Sequence, residues 1–427
     1  MKIVILGLWH LGSVTAACCS RHFQVTGLDF DKDLIEKLSR GGAPIFEPGL
    51  DELLTEGLVE QRLNFTTDVA EAVAGADILW VCYDTPVDDN DQADAAFVLE
   101  RIRRVIPHLK TGTTVLLSSQ LPVGSCAGIE REFPECPFAV SPENLRLGRA
   151  LEAFTKPDRV IAGLRDERLK EGIKKLFAPF CENILFMSPE SAEMVKHGLN
   201  AFLATSVVFV NELARLCEHF GADAAQVSEG LKSDVRIGPR SYLRPGGAFA
   251  GGTLARDVVT LLRLAQERGE IIPLMSGIMQ SNVSHQGWAF RRLQKLLGDL
   301  AGRNICILGL TYTPHTNTLR RSSALVLCRQ LQQHGARISV YDPAIKEPVV
   351  ELNHLNPASS VRDALQGADA LVVCTEWPEF LSAPWRELLP LMRQPLILDA
   401  NRFLEKQLQT LSAINYVSVG RPQLQYL

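Results

Sequence analysis

The chain has 427 residues, 46% of them hydrophobic, which is enough for two or three domains that each bury a core. Its formal net charge of -5, with 22% charged residues, excludes the extended basic field that recruits nucleic acid or an anionic membrane surface. The ten cysteines form no Cys-x-x-Cys pair and no cluster with histidine, so we expect reduced thiols and no metal site. Small-molecule chemistry is the function class that remains.

The N-terminus carries no pattern of a targeting segment. Residues 1–7 pass from one lysine directly into a short apolar run, without the long apolar core and cleavage site of a signal peptide. No stretch approaches the roughly 20 continuous apolar residues that a membrane span needs. We therefore expect a soluble, cytoplasmic protein with no membrane partner and no nucleic-acid partner.

Short β-branched runs alternate with helical periodicity over roughly the first 180 residues. The predicted buried strands are residues 3–6, 25–29, 78–83, 114–118, 137–140 and 160–163. Such alternation predicts a parallel sheet that is covered by helices on both faces. We assign this first domain to residues 1–187.

A helical segment follows the first domain. Strand patterns are absent from about residue 188 to 299, and long helical patterns cover residues 192–220 and 261–296. The apolar surface of these helices suits a homodimer, although helices packed only against their own domains produce the same pattern. We assign this connector to residues 188–299.

A second α/β block closes the chain. Its predicted strands are residues 304–309, 338–341, 370–374 and 396–398. We assign this third domain to residues 300–427. The predicted fold class is therefore α/β, with two Rossmann-like parallel-sheet domains joined by a helical middle domain.

A glycine turn links the first predicted strand to the first predicted helix. Residues 7–12 (GLWHLG) match the dinucleotide pattern G-x-G-x-x-G except at Trp9, which replaces the glycine that lets the backbone approach a pyrophosphate. Asp29 ends the next strand about 20 residues later, where a carboxylate binds the adenosine ribose and favours NAD over NADP. The ring of Trp9 must turn outward or crowd the phosphates. A merely structural strand-turn-helix is the alternative.

Further motifs are spread along the chain. They are EPGL at 47–50, YDTP at 83–86, SQLPVGS at 119–125, SPENL at 141–145, EMVK at 193–196, NAFLA at 200–204, NE at 211–212 and DVRIG at 234–238, with residues 309–320, 341–343 and 375–377 in the last block. By these motifs and their order the sequence resembles the UDP-glucose and GDP-mannose dehydrogenase family from end to end. The resemblance implies NAD in the first domain, a sugar nucleotide on the last domain, and a dimer formed through the middle helices.

The resemblance also implies which residues form the site. At the cofactor it places Gly7, Trp9, His10, Leu11, Gly12, Asp29, Thr85, Gln120 and Arg320. At the substrate it places Glu143, Leu145, Lys196, Asn200, Tyr242, Phe249, Gly251 and Tyr312.

Four of the predicted residues carry the chemistry. Lys196 and Asn200 lie one helical turn apart, so their side chains can converge on one oxygen, and in the family they stabilise alkoxide and tetrahedral species. Asp257 closes the predicted loop 251–257 and assists water-mediated proton removal, while Glu143 matches the family's water-activating glutamate. Outside this context the Lys/Asn pair would be a solvated helix surface and Glu143 a surface turn residue.

The glycine-rich loop departs from the family pattern. The family has a nucleophilic cysteine two residues after its paired glycines, but Thr253 and Leu254 follow Gly252 and the loop is one residue shorter. No cysteine lies between Cys217 and Cys306. An aldehyde gives up hydride only after a nucleophile has added to it, and an unactivated threonine hydroxyl is a far weaker nucleophile than a thiolate.

Other departures affect the nucleotide sites. Gln120 replaces a threonine of the family pattern, Thr313 replaces a lysine, and residues 399–401 (DAN) replace D-G-R, with Arg402 as a shifted candidate for the arginine. The loss of two cations weakens charge-assisted binding of a diphosphate, which puts UDP-glucose itself in question as the substrate.

Four hypotheses follow. The leading one is a single two-electron oxidation of a nucleotide sugar or related glycoside by NAD, which gives an aldehyde or ketone. A second keeps both oxidations, with water adding to the aldehyde under Glu143 and Lys196 to form a hydrate. A third is a binding or regulatory protein that has lost catalysis, in keeping with Trp9 and the absent cysteine. A hydroxyacid or phosphogluconate-type dehydrogenase shares the first turn but gives no reason for the second α/β block.

Overall fold

The computed structural model describes residues 1–86, 88, 93–250, 252–411 and 414–421, and the backbone of 424–425. The chain divides into two compact units, Met1–Leu199 and Asn200–Leu427.

The first unit alternates strands with helices. Its strands are β1 (Lys2–Leu6), β2 (Gln24–Leu28), β3 (Leu63–Thr66), β4 (Ile78–Val81), β5 (Thr114–Leu117), β6 (Phe138–Val140), β7 (Val160–Leu164) and β8 (Ile184–Met187). Its helices are α1 (His10–Ser20), α2 (Lys32–Ser39), α3 (Leu50–Val59), α4 (Val69–Val73), α5 (Ala95–Val105), α6 (Ser125–Glu132), α7 (Ala150–Thr155) and α8 (Lys170–Phe177). Helix α9 (Pro189–Phe220) begins in this unit and continues into the second.

These strands form one sheet in the order β3-β2-β1-β4-β5-β6-β7-β8. Neighbouring strands are parallel apart from β6 and β7, which run antiparallel. Strand β1 is buried on both faces, because Ile3 and Ile5 belong to one core and Val4 and Leu6 to the other. The strand order reverses between β1 and β4, and the turn after β1 lies there at the carboxyl edge of the sheet. This is the place where α/β proteins bind ligands.

The second unit places helices before its sheet. After α9 come α10 (Ala224–Ser233), α11 (Thr253–Arg268), α12 (Pro273–Gln286), α13 (Trp288–Leu297), α14 (Ser323–Gln333), α15 (Val361–Leu365), α16 (Trp385–Leu388) and α17 (Glu405–Leu408). The strands are β9 (Asn304–Leu308), β10 (Arg337–Tyr341), β11 (Ala370–Val373), β12 (Leu396–Asp399), β13 (Asn415–Val417) and β14 (Leu424–Gln425). They pair in the order β10-β9-β11-β12-β13-β14, and among the described strands of this second sheet only β13 and β14 are antiparallel.

The turn after the first strand has the same construction in both sheets. Leu8 N donates to Asp29 Oδ2 at 2.9 Å, and Leu310 N donates to Asp342 Oδ2 at 2.6 Å. Asp342 is fully buried and accepts further hydrogen bonds from internal donors: Thr311 N and Oγ1, Ala344 N and Trp377 Nε1. The second sheet thus repeats the nucleotide-binding topology of the first.

The predicted fold class is confirmed, and the differences are local. Strands β3, β8, β13 and β14 were not predicted; β3 and β8 are the two edges of the first sheet, where strands bury fewer side chains. The helical pattern over residues 261–296 forms parts of three helices. Gly269, at φ 70°, ends α11, Pro273 begins α12, and Gly287 separates α12 from α13.

The prediction that Asp257 closes a loop is wrong. Helix α11 begins at Thr253, so Asp257 lies one turn inside it. Gly252 precedes the helix with φ 104°, a backbone conformation that side chains rarely adopt. The shortened loop therefore ends earlier than the sequence suggested.

Within the described residues, α9 is the one helix that is long and apolar enough to cross a membrane by length and composition. Its N-terminal half nevertheless buries four polar side chains that are paired with protein groups: Glu193, Lys196, His197 and Asn200. A helix that satisfies so many buried polar groups packs against protein along that face.

Candidate active site

The cofactor turn of residues 7–12 is built on two glycines that tolerate no side chain. Gly7 has φ 91°, and a Cβ added there would lie 2.6 Å from the ring of Tyr83. A Cβ added to Gly12 would lie 1.7 Å from the carbonyl oxygen of Gly7. This close packing of α1 on β1 leaves a backbone cradle at the helix start, which fits the pyrophosphate of a dinucleotide.

Trp9 leaves that cradle open. The residue is 50% exposed, in keeping with the first of the two predicted placements of the ring. Trp9 is also the N-cap residue of α1, and its side chain makes no capping hydrogen bond. The N–H groups of the first helical turn are therefore not satisfied by the cap residue itself.

Asp29 lies at the end of β2 beside the turn. Its Oδ2 accepts from Leu8 N at 2.9 Å, and its Oδ1 accepts from Phe30 N at 2.7 Å. Burial raises the pKa of Asp29 above its usual value, although these backbone N–H groups act in the opposite direction. The carboxylate is thereby fixed where the turn of a dinucleotide domain meets the adenosine ribose.

Glu47 holds the cofactor turn and the loop after β6 together. Its side chain is 1% exposed, and its Oε2 lies 3.1 Å from His10 Nε2. Gly148 N donates to Oε2 and Ala150 N to Oε1, each at 2.8 Å. Glu47 thus contacts both the cofactor turn and the loop after β6.

Lys196 and Glu143 meet in the first unit. Lys196 Nζ donates to the Glu143 carbonyl at 2.7 Å and lies 3.1 Å from Glu143 Oε1. The two side chains are 8% and 19% exposed and line a cavity of about 110 Å³ together with Leu145. Leu145 N donates to Glu143 Oε2 at 2.7 Å, which fixes the carboxylate. The structure thus brings a cation, a carboxylate and an open cavity together.

Asn200 and Asp257 meet in the second unit. Asn200 Nδ2 donates to Asp257 Oδ2, and the two residues are 5% and 0% exposed. Apolar residues such as Ala204 and Val258 form a small core on the same two helices. The carboxylate therefore fixes the orientation of the Asn200 amide, one helical turn after Lys196 on α9.

A larger cavity of about 350 Å³ lies beside β11 in the second unit. Tyr312, Thr313 and Asn401 line it, and its described lining contains no lysine or arginine. Asn401 Oδ1 accepts from Gly247 N at 2.7 Å. The predicted loss of the two cations therefore leaves this cavity lined by neutral side chains.

Arg402, the shifted candidate for the family arginine, is paired with Asp223. Its guanidinium makes two hydrogen bonds to Asp223, at 2.7 Å from Oδ1 and 3.2 Å from Oδ2. It is absent from the lining of the 350 Å³ cavity. The suggested shift by one residue stays a prediction, and in this structure the carboxylate of Asp223 binds the side chain.

The remaining predicted residues take varied positions. Thr85 Oγ1 donates to the Gln120 carbonyl at 2.8 Å in the first unit. Tyr242 is 57% exposed, and Phe249 is anchored through its backbone to Asn282, at 3.0 Å and 2.7 Å. Arg320 belongs to the second unit, and Gly251 lies outside the described residues.

Comparisons with known proteins place this site in a family. The models of the UDP-glucose/GDP-mannose dehydrogenase family match in order: the NAD binding domain over residues 1–181, the central domain over 190–284 and the UDP binding domain over 306–406. UDP-glucose 6-dehydrogenase of Rhizobium meliloti is 34% identical over 437 residues, which cover 99% of this chain and 100% of that protein. The chain belongs to the UDP-glucose/GDP-mannose dehydrogenase family. It is an NAD-dependent nucleotide-sugar dehydrogenase by family membership.

Other members of the family agree over the whole length. UDP-glucose 6-dehydrogenase of Pseudomonas aeruginosa is 33% identical over 99% of this chain and 98% of its own. A UDP-glucose dehydrogenase structure from Pyrobaculum islandicum superposes with a TM-score of 0.86 at 28% identity, over 98% of both chains. A UDP-D-ManNAc dehydrogenase structure from Pyrococcus horikoshii has the same TM-score at 26% identity, over 99% of this chain and 100% of its own.

Cysteines are scarce in the described linings of the two cavities. No cysteine lines the 110 Å³ cavity beside Lys196, and Cys374 is the one described cysteine in the lining of the 350 Å³ cavity. Burial raises the pKa of Cys374 to about 12. The lining around it includes neither Asn200 nor Asp257. A protonated thiol at this place is a poor nucleophile.

Sequence reasoning missed the side chains that hold the site's loops. Glu193 accepts from Gly124 N at 2.6 Å and from Cys126 N at 2.9 Å, and so caps α6. Asp84 accepts from Leu11 N in the cofactor turn. Both residues are acidic and lie within motifs, which is the one sign of their role in the sequence. The N–H groups that they accept from lie 67 or more residues away in the chain, so the contacts could not be predicted.

Proposed function

We propose that this chain oxidises one alcohol of a nucleotide sugar in a single two-electron step and releases an aldehyde or ketone. The observation that carries the proposal is the retained set of Lys196, Glu143, Asn200 and Asp257, together with a described cavity lining beside Lys196 that contains no cysteine. The relatives named above act on UDP-glucose or UDP-D-ManNAc, which supports a nucleotide sugar as the substrate class.

The chain's own residues provide charge and orientation for the oxidation. The Lys196 ammonium is held by Glu143 and stabilises the alkoxide that forms when the alcohol loses its proton. Asn200 Nδ2 carries two hydrogens and donates one of them to Asp257. In this proposal the other hydrogen is donated to the alkoxide oxygen of the substrate. Asp257 assists proton removal through water. Bound NAD supplies the hydride acceptor.

The reaction stops at the carbonyl because the second hydride transfer needs a nucleophile. Leu254 stands two residues after the paired glycines, where the family has its cysteine, and the neighbouring Thr253 is exposed at the start of α11. An aldehyde without an added nucleophile has no good hydride to give. The product is therefore not a uronic acid.

Counting NADH per sugar consumed tests this proposal. We expect one NADH for each sugar, with the product trapped by a hydrazine and identified by mass spectrometry from a panel of UDP- and GDP-sugars. Two NADH per sugar with an acid product contradicts it and supports the hydrate mechanism, in which Glu143 and Lys196 activate water. No turnover on any sugar supports an inactive binding protein, as the neutral lining of the 350 Å³ cavity suggests.

We propose that the three segments 1–187, 188–299 and 300–427 serve NAD binding, connection and sugar-nucleotide binding, and that the enzyme is cytoplasmic. We also infer a homodimer formed through α9. Phe202, Phe209 and Leu216 are 68%, 50% and 55% exposed and lie seven residues apart, so they share one side of the helix. Exposed large apolar side chains in a row mark a protein interface.

A charge in that row is expected to dissociate the dimer. Phe209→Glu places a carboxylate in the middle of the apolar row, and we expect at least a tenfold weaker dimer, about 1.4 kcal/mol. Sedimentation velocity over a concentration series measures this. Phe46→Glu, at a residue 73% exposed in the first unit, is the matched control and should leave the dimer intact. Equal dimer constants for both variants would exclude α9 as the interface.

A further inference from the structure

The N-terminal turn of α1 is capped from a distant part of the chain. The first N–H groups of a helix have no partner within the helix, and the side chain of the N-cap residue usually accepts from one of them. Trp9 occupies the N-cap position here and makes no such bond. Asp84 takes its place, because its Oδ2 accepts from Leu11 N at 3.2 Å. Asp84 is exposed and follows β4, 73 residues beyond Leu11.

The same N–H belongs to the donors that a dinucleotide turn offers to the pyrophosphate. The positive end of the helix dipole attracts one anion there, and a carboxylate oxygen and a phosphate oxygen compete for the same donor. The cradle formed by Gly7 and Gly12 fits the cofactor, as described above. Asp84 therefore lies where the cofactor's negative charge is to be bound.

We propose that Asp84 acts as a resident anion of the cofactor site, which stabilises the cofactor-free turn and must be displaced when NAD binds. Two further carboxylates hold the same turn, since Asp29 accepts from Leu8 N and Glu47 from His10 Nε2. Asp29 and Glu47 thus bind Leu8 N and the His10 ring. Among the described hydrogen bonds, Asp84 is the acceptor for Leu11 N. Asp84 thereby lowers the affinity of the site for NAD.

The substitutions Asp84→Asn and Asp84→Ala test this inference, because removal of the anion should strengthen NAD binding while loss of the cap lowers the stability of the NAD-free protein. Calorimetry should show NAD binding about threefold tighter for Asp84→Asn and about tenfold tighter for Asp84→Ala, the latter about 1.4 kcal/mol. Without NAD, the Tm of Asp84→Ala should fall because α1 loses its cap. Asp84→Asn keeps an acceptor for Leu11 N, so it remains folded if the alanine variant is too unstable to measure.

Asp94→Ala is the matched control. Asp94 Oδ1 accepts from Phe97 N at 3.0 Å as the N-cap of α5, so this variant also loses one negative charge and one helix cap. It should lower Tm while the NAD dissociation constant stays within twofold of the unaltered chain. An equal gain of affinity in Asp94→Ala would assign the effect to net charge and overturn the inference.

The remaining outcomes are also decisive. Unchanged NAD binding by both Asp84 variants contradicts the resident anion alone. Weaker binding contradicts it too and assigns Asp84 to the cofactor as a ligand for its hydroxyl groups. Failure of every protein to bind NAD at millimolar concentration contradicts this inference together with the proposed oxidation. If the variants oxidise a nucleotide sugar and bind NAD as the unaltered chain does, the inference about Asp84 is contradicted. The proposed function is not affected by that result.

Discussion

Replacement of Lys196 by methionine is expected to lower kcat about 1,000-fold, with little change in the KM for NAD. The ammonium is 8% exposed and lies at a cavity, where a fixed positive charge stabilises a developing alkoxide far better than water does. The substitution also leaves Glu143 without its cation, so the loop that carries this carboxylate loses a second contact. The rate of NADH formation measures the effect.

Lys174→Met is the control for this prediction. Lys174 lies on α8 in an exposed pair with Glu171, so its loss removes a lysine from the same unit without touching the cavity. Its kcat should stay within twofold of the unaltered chain. If the Lys196→Met variant retains a tenth of the kcat, the proposed role of Lys196 in stabilising the alkoxide is contradicted.

Gly12→Ala is expected to disrupt the cofactor turn, with the second largest effect. A Cβ at this position overlaps the carbonyl oxygen of Gly7 at 1.7 Å, and this backbone cannot move away while α1 packs on β1. Overpacking of this kind costs about 3 kcal/mol of unfolding free energy, and the displaced turn should bind NAD at least about 30-fold more weakly. Urea unfolding and calorimetry measure the two quantities.

Gly128→Ala gives the contrasting control. Gly128 lies within α6, and a Cβ added there would meet nothing within 4 Å. Alanine favours a helix over glycine, so this variant should be more stable by about 0.5 to 1 kcal/mol with unaltered NAD binding. A Gly12→Ala variant that behaves in the same way would show that the helix start can shift outward without loss.

The sequence allowed the central strands to be predicted, because strands buried on both faces are continuous apolar runs. Strand β1 is the clearest example, since its successive residues enter two different cores. Strands β3 and β8 were missed at the edges of the same sheet. In β3 only Leu63 is buried, and no residue of β8 is fully buried, so neither has the pattern of a central strand.

The candidate site was predicted by motif, but its contacts were not. The pairing of Lys196 with Glu143 joins residues 53 apart in the chain, and Glu47 reaches Ala150 across 103. No local periodicity encodes such distances, because hydrogen bonds between loops depend on the completed fold. The start of α11 was also misjudged, since Gly252 ends the loop and Thr253 already belongs to the helix.

Asp342 holds the turn of the second sheet in the way that Asp29 holds that of the first. Its carboxylate accepts from five donors of its own chain: Leu310 N, Thr311 N, Thr311 Oγ1, Ala344 N and Trp377 Nε1. Four of these bonds converge on Oδ2 and Ala344 N donates to Oδ1, and the side chain is fully buried, so the carboxylate is not accessible to the paired hydroxyls of an adenosine. The second sheet has kept the architecture of a dinucleotide fold while burying the acid that would select that ligand. We therefore expect the pentose of the sugar nucleotide to be recognised by other groups.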